Sequence, residues 1–213
     1  CIRDRMTAWF TFFVFIEKMG ERSLAVSGVI KEILLIIAIP AWGISNAANT
    51  LTSNLIAQGR HDDVFKGLTK TVSLVCLLMF PLAALLFFFP ELVISILTNK
   101  PAVAEASIIP AKIVGTSLLL LAPGIVIFKT VTGTGATTYV FLTECITVSL
   151  YLIYIWLVIF KWDGTINTVW TGEFVYWTCV SCFSLGYLFS GRWRRISVCL
   201  LYTSDAADER HCV

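Results

Sequence analysis

The sequence predicts an all-α membrane protein, a bundle of six transmembrane helices. Two observations carry this. Of its 213 residues 57% are hydrophobic and only 14% charged, with mean hydropathy +0.82. Soluble domains usually devote about a quarter of their residues to charge, and a soluble fold of this size could not hide so much apolar surface. The second observation is that the apolar residues come in runs of spanning length, roughly 20 residues, rather than in the alternating pattern of a membrane barrel.

Each run is expected to be a helix, because lipid offers no partner to an unpaired backbone group. A short first run covers Thr7–Met19. Longer ones cover Val26–Ile56, Thr71–Phe89, Ala106–Phe128, Tyr139–Phe160 and Thr168–Phe189. That reading gives five full spans and one cut short. Arg60, Lys66 and Lys70 in one loop, with Arg192, Arg194 and Arg195 after the last span, outweigh Lys18, Arg22, Lys100 and Lys161 on the other side. The positive-inside rule makes the first side cytoplasmic. Trp162, Trp170 and Trp193 fall near span ends, where an indole prefers the interface.

Both termini depart from this pattern. Position 1 is not Met and the first run is short, so residues 1–198 are expected to be an N-terminally truncated piece of a longer protein. "CLLYTSDAADE", Cys199–Glu209, resembles the translation of a transposase-type sequencing adapter, and residues 199–213 are expected to be a non-native tail. Four of the remaining cysteines, Cys76, Cys145, Cys179 and Cys182, lie in apolar runs. The Cys179–Cys182 pair has no second pair and no nearby His, so it reads as structural rather than as a zinc site.

The second run carries an anomaly. "PAWGISNAANTLTSNLIAQG", Pro40–Gly59, concentrates polarity directly after "VIKEILLIIAI". Asn46, Asn49, Thr50 and Ser53 recur at helical spacing and share one face. Ile44, Leu51, Leu55 and Ile56 occupy the others and are expected to meet lipid. The stripe is a candidate lining for a water-filled cavity, while Asn54, slightly off it, reads as interhelical glue. Pro40 with Gly43, and Pro123 with Gly124, mark candidate helix breaks. Acidic groups at membrane depth are functional candidates by default. Glu144 lies well inside the Tyr139–Phe160 run and Glu173 about a turn inside the last. Lys129 is the one base deep enough to pair with them, and its place near a span end favours snorkelling. The Gly133–Gly135 stretch lacks the Lys-Ser/Thr of a phosphate loop. No HExxH and no acidic metal pair lies at depth, which leaves an intramembrane enzyme as a minor alternative.

Several segments carry a resemblance in the correct order. "FFVFIEKMGERSLAVSGVIKEILLIIAIPAWGISNAANTLTSNLIAQGR" resembles the seventh and eighth helices of the multidrug and toxic compound extrusion (MATE) family. "FKTVTGTGATT", Phe128–Thr138, resembles the Gly-rich turn between the tenth and eleventh helices, and "VWTGEFVYW", Val169–Trp177, the start of the twelfth. The resemblance covers about residues 6–197. It implies one lobe, the C-terminal one, of a two-lobe transporter of about twelve helices in the inner cell membrane, with alternating access between the lobes. It also implies export of amphipathic, often cationic compounds coupled to H+ or Na+ entry. The implied partners are membrane lipid, an N-terminal lobe of the same chain and a small-molecule substrate, with no cofactor, no metal and no nucleic acid. Some members carry a carboxylate in the seventh helix and another in the middle of the tenth. Here the first of those positions falls at or before the start of the chain, near Arg5, and the second falls close to Pro123 and is not acidic. A lipid-linked oligosaccharide flippase of the same superfamily is the alternative, which basic cleft residues would favour.

Overall fold

A computed structural model describes residues 2–195. Among them the chain forms eight α-helices and a closing 3-10 turn, with no strand. The expected tail at 199–213 lies outside the described residues.

Helix α1 (Ile2–Glu17) ends in a tight turn at Gly20, whose φ of 97° is open to glycine and strained for other residues. Helix α2 (Glu21–Ala57) is 37 residues long, which at 1.5 Å per residue is about 55 Å and more than a bilayer's apolar thickness. Arg60 and Lys66 both pair with Asp63 at the turn into α3 (Asp63–Phe88). Pro90 then stops α3, since a residue preceding proline is pushed out of the helical region. Phe89 indeed sits at φ −128°, ψ 50°. A short helix α4 (Pro90–Leu97) follows, and Pro101 opens α5 (Pro101–Gly133) at the position where its missing N–H costs nothing. Helix α6 (Thr137–Phe160) leads to α7 (Ile166–Trp170) and α8 (Gly172–Phe189).

Helix α5 is the hub. Of its most apolar stretch 67% is buried, against 22% for α3. It packs on α2 and α3 on one side and on α8 on the other. Three glycines nine residues apart make the close approaches. Nine residues turn a helix by two and a half turns, so successive glycines face opposite ways. A Cβ on Gly115 would lie 3.3 Å from the Ala83 carbonyl of α3, one on Gly124 2.7 Å from Ser181 Oγ of α8, and one on Gly133 2.5 Å from the Asn49 carbonyl of α2. Small residues at such crossings are the membrane substitute for a hydrophobic driving force.

Among the described residues α2, α3, α5 and α6 are long and apolar enough to cross a membrane by length and composition, and the last run is divided at Thr171 into α7 and α8. Three expectations are corrected. Neither Pro40–Gly43 nor Pro123–Gly124 breaks its helix: α2 and α5 run through both, with the prolines inside. Each proline removes one hydrogen bond, but flanking packing holds the helix together. Trp162 is 61% exposed as expected at an interface, whereas Trp170 and Trp193 are fully buried in protein. Trp193 docks beneath the α2–α3 turn against His61 and Phe65 and donates its indole N–H to the Leu188 carbonyl at 2.9 Å. Finally, Leu55 and Ile56 are buried inside the bundle rather than turned to lipid.

Candidate ion site inside the helix bundle

The two carboxyls that the sequence places 29 positions apart open into one cavity. Glu144 comes from the second turn of α6 and Glu173 from the first turn of α8. Both are buried, at 5% and 6% exposure. Helix α8 fixes them through consecutive residues. Tyr176 donates its hydroxyl to Glu144 Oε1 at 3.2 Å, and Trp177 donates its indole N–H to Glu173 Oε2 at 3.1 Å.

The walls are aromatic. Trp9 of α1 and Trp42 of α2 close one side, with Leu35 and Ala38 between them. Tyr151 of α6 closes another and meets Tyr176 edge-to-face at 6.1 Å. The chamber is partly open to the outside and gives water about 90 Å3, less than the roughly 300–1,000 Å3 of typical drug pockets.

Burial of Glu173 follows from the neighbours of α8. Gly172 lets its helix close on α6, where an added Cβ would lie 2.8 Å from Ile155 Cδ1 and 3.0 Å from Tyr151 Cε2. Gly124 performs the same service from α5, with Trp177 Cε3 3.3 Å from its Cβ position.

The other sequence candidates lie elsewhere. Asn46, Asn49, Thr50 and Ser53 do not line this cavity. Ser53 is half-buried and donates to the Gly133 carbonyl at 2.9 Å, tying α2 to the end of α5. Asn49 is half-buried at the same crossing. Asn46, Thr50 and Asn54 are exposed on the outside of the bundle. Pro40 and Pro123 are half-buried, Gly43 is exposed and Gly124 sits against α8. Lys129 is half-buried near the end of α5.

One charged residue near the site was missed. Lys31 of α2 holds its ammonium 5.1 Å from the Phe13 ring centre and 5.7 Å from that of Trp9, itself a cavity wall. The signal was the "KE" pair inside "VIKEILL", hidden by the hydrophobicity of its surroundings.

Geometry of this kind, a helical bundle with two buried acids lining one apolar chamber, defines a polytopic membrane protein with an ionisable interior. The sequence model of the MatE family matches residues 6–159, and the chain belongs to that family. It is 32% identical over 99 residues to a probable multidrug resistance protein NorM of Thermotoga maritima, a match that covers 46% of this chain and 21% of that protein. Its fold matches a MATE crystal structure in the bent conformation, with TM-score 0.77 at 14% identity, covering 89% of this chain and 42% of the other. It also matches a MOP superfamily transporter from Pyrococcus furiosus whose reversed binding-pocket polarity suggests a different function, with TM-score 0.70 at 11% identity, covering 89% and 41%. The chain thus spans about two-fifths of the length of those solved transporters and about a fifth of the curated relative.

Proposed function

We propose that this chain is the C-terminal lobe of a two-lobe efflux transporter of the inner cell membrane, exchanging amphipathic, often cationic compounds for H+ or Na+. The observation that carries the coupling is the convergence of Glu144 and Glu173 in one aromatic-walled chamber. Charge on two carboxyls is costly in so apolar a place, and a cation or a proton taken up beside them would lower that cost. Uptake and loss of that cation would change the hydrogen bonds that Tyr176 and Trp177 make, and so the seating of α8.

The substrate route is a separate place in this reading. The chamber is smaller than a typical drug pocket, whereas the exposed stripe of Asn46 and Thr50 lies on an outer face of the bundle. A polar face meeting hydrocarbon is unfavourable, and the face fits a second lobe across a wet cleft. The acidic chamber supports cation coupling and gives no support to the lipid-linked oligosaccharide alternative, which calls for basic residues.

The test is efflux of a fluorescent cationic dye from proteoliposomes holding the full-length transporter, under an imposed pH or Na+ gradient. Glu144→Gln and Glu173→Gln keep shape and hydrogen-bonding capacity but lose the titratable group. Loss of gradient-driven efflux in either variant, with dye binding retained, supports the reading. Efflux that responds to both gradients like wild type in both variants would refute it.

A further inference from the structure

We propose that the groove between α4 and the start of α5 binds the head group of a phosphatidylethanolamine lipid, its ammonium held by Glu91 and Glu105 and its phosphate by Lys100. The groove shares no residue with the acidic chamber, and the inference does not depend on ion coupling there.

Two prolines create the groove. Pro90 ends α3 and opens α4, Pro101 opens α5, and α4 packs against α5 at the end of the bundle remote from the basic α2–α3 turn. The space between them gives water about 360 Å3, within the range of small-molecule sites. It collects charges of both signs. Glu91 comes from the first turn of α4, Lys100 from the α4–α5 link and Glu105 from the second turn of α5. Ser95, Thr98 and Asn99 line the same space. All three charged residues are exposed, and among the described residues no ion pair joins Lys100 to either carboxyl.

Charge complementarity selects the ligand. Two carboxylates and one ammonium suit a zwitterion that carries a hydrogen-bonding cation and an anion a few bonds apart. Carboxylates hold a primary ammonium through charge-assisted hydrogen bonds, for which a quaternary ammonium has no N–H. Quaternary heads are recognised instead by aromatic faces, and no aromatic side chain lines the groove. A purely anionic head would meet two carboxylates against one lysine. The phosphate finds Lys100 and the unpaired N–H groups at the start of α5, which has no side-chain cap and no acidic residue in its first turn. Helical spacing makes the ligand a lipid rather than a soluble amine. Glu91 and Ser95, one turn apart, form the groove side of α4, and Leu92 and Ile96, each next in sequence, form the adjacent face and are exposed. Phe88 and Phe89 extend that exposed apolar surface at the end of α3, a helix of spanning length and composition. The groove thus lies at the level where a bilayer passes from hydrocarbon to head groups, and a head seated in it leaves its acyl chains beside Leu92 and Ile96.

The experiment titrates the full-length transporter, stripped of lipid in a non-ionic detergent, with phosphatidylethanolamine, its mono- and dimethylated forms, phosphatidylcholine and phosphatidylglycerol. Native mass spectrometry counts the lipids bound. One phosphatidylethanolamine should bind about tenfold tighter than phosphatidylcholine, equivalent to about 1.4 kcal/mol, with affinity falling as each methyl replaces an N–H and phosphatidylglycerol weakest. Glu91→Gln combined with Glu105→Gln should bring phosphatidylethanolamine down to the phosphatidylcholine level. Lys100→Gln should weaken both lipids alike, since both carry the phosphate, and keep the preference between them. A phosphatidylethanolamine with a diazirine near the top of its acyl chain should cross-link to α4 at Leu92 or Ile96, read by peptide mass spectrometry. Equal affinity across the methylated series in the wild-type protein, a preference that survives the double carboxyl substitution, or cross-links confined to other helices would overturn the proposal. Displacement of the lipid by an equal concentration of glycerophosphoethanolamine would point to a soluble ligand and overturn the lipid assignment. The methylated series and the cross-link use wild-type protein, so a folding defect in a variant leaves the test intact.

Discussion

Gly133→Ala tests the packing logic of the hub helix most directly. The new methyl would sit 2.5 Å from the Asn49 carbonyl oxygen, 2.8 Å from Thr52 Cβ and 3.0 Å from Asn49 Oδ1. Ordinary contact begins near 3.4 Å, so α2 and α5 must separate by about 0.9 Å at this crossing. The Ser53 hydrogen bond to the Gly133 carbonyl, now 2.9 Å, then stretches to about 3.8 Å and is lost. Losing that bond costs about 1 kcal/mol, and overpacking a tight contact costs about 1–3 kcal/mol. Alanine recovers about 1 kcal/mol as the better helix former. The net loss is about 1–3 kcal/mol. The control is Gly186→Ala in α8, where nothing lies within 4 Å of the added methyl; it should be neutral or slightly stabilising. Reversible unfolding by SDS from a non-ionic detergent measures both. Equal stability of Gly133→Ala and wild type, or a matching loss in Gly186→Ala, would refute close glycine contact as the basis of the α2–α5 crossing.

Glu144→Gln should abolish proton-driven dye efflux while insertion and dye binding persist, checked across a series of external pH values. Gly172→Ala should displace Tyr151 and Ile155 and weaken Glu173-dependent coupling more than overall stability, read as coupled efflux against the midpoint of detergent unfolding. Trp193→Ala empties a fully buried indole site and should cost about 3–5 kcal/mol, with faster proteolysis at the α2–α3 turn. Arg194→Ala removes an ion pair to the largely exposed Asp62 and should cost at most about 1 kcal/mol in the same unfolding assay.

Helices were legible in the sequence because composition and run length are local properties. Val26–Ile56 anticipates α2 and Tyr139–Phe160 anticipates α6 to within a few residues. The extra break at Phe89 was written in Pro90 but masked by the apolar run around it. The proline sites misled for a different reason. Proline removes one hydrogen bond, and whether a helix then breaks depends on neighbours that no single run reveals. Burial of Trp170 and Trp193 was hidden likewise, since an indole near a span end can meet lipid headgroups or another helix. Glu144 and Glu173 stood out singly because carboxyls are rare at depth. Their meeting in one chamber was not legible, because rotation of α6 about its axis is set by Gly172 against Tyr151, a contact between separate helices.

That contact gives the chamber its mechanical sense. Tyr176 and Trp177 are neighbours in sequence, about 100° apart around α8, and each holds a different carboxyl. Trp177 is also pressed against Gly124 of the hub helix, and Tyr151 against Gly172 at the head of α8. A change of charge at either carboxyl therefore acts on the same helix, at a place where glycines leave no slack for side chains to absorb the shift. Packed interiors answer such a push by moving as units rather than by local yielding. Under the proposed coupling, uptake of a cation in the chamber would displace α8 against α5, and α5 carries the crossing with α2 whose outer face bears Asn46 and Thr50. The proposed route from ion to substrate face would run through three glycine-fitted contacts, Gly172, Gly124 and Gly133. Filling any one of them should loosen the coupling between gradient and efflux in the full-length transporter before it stops the lobe from folding.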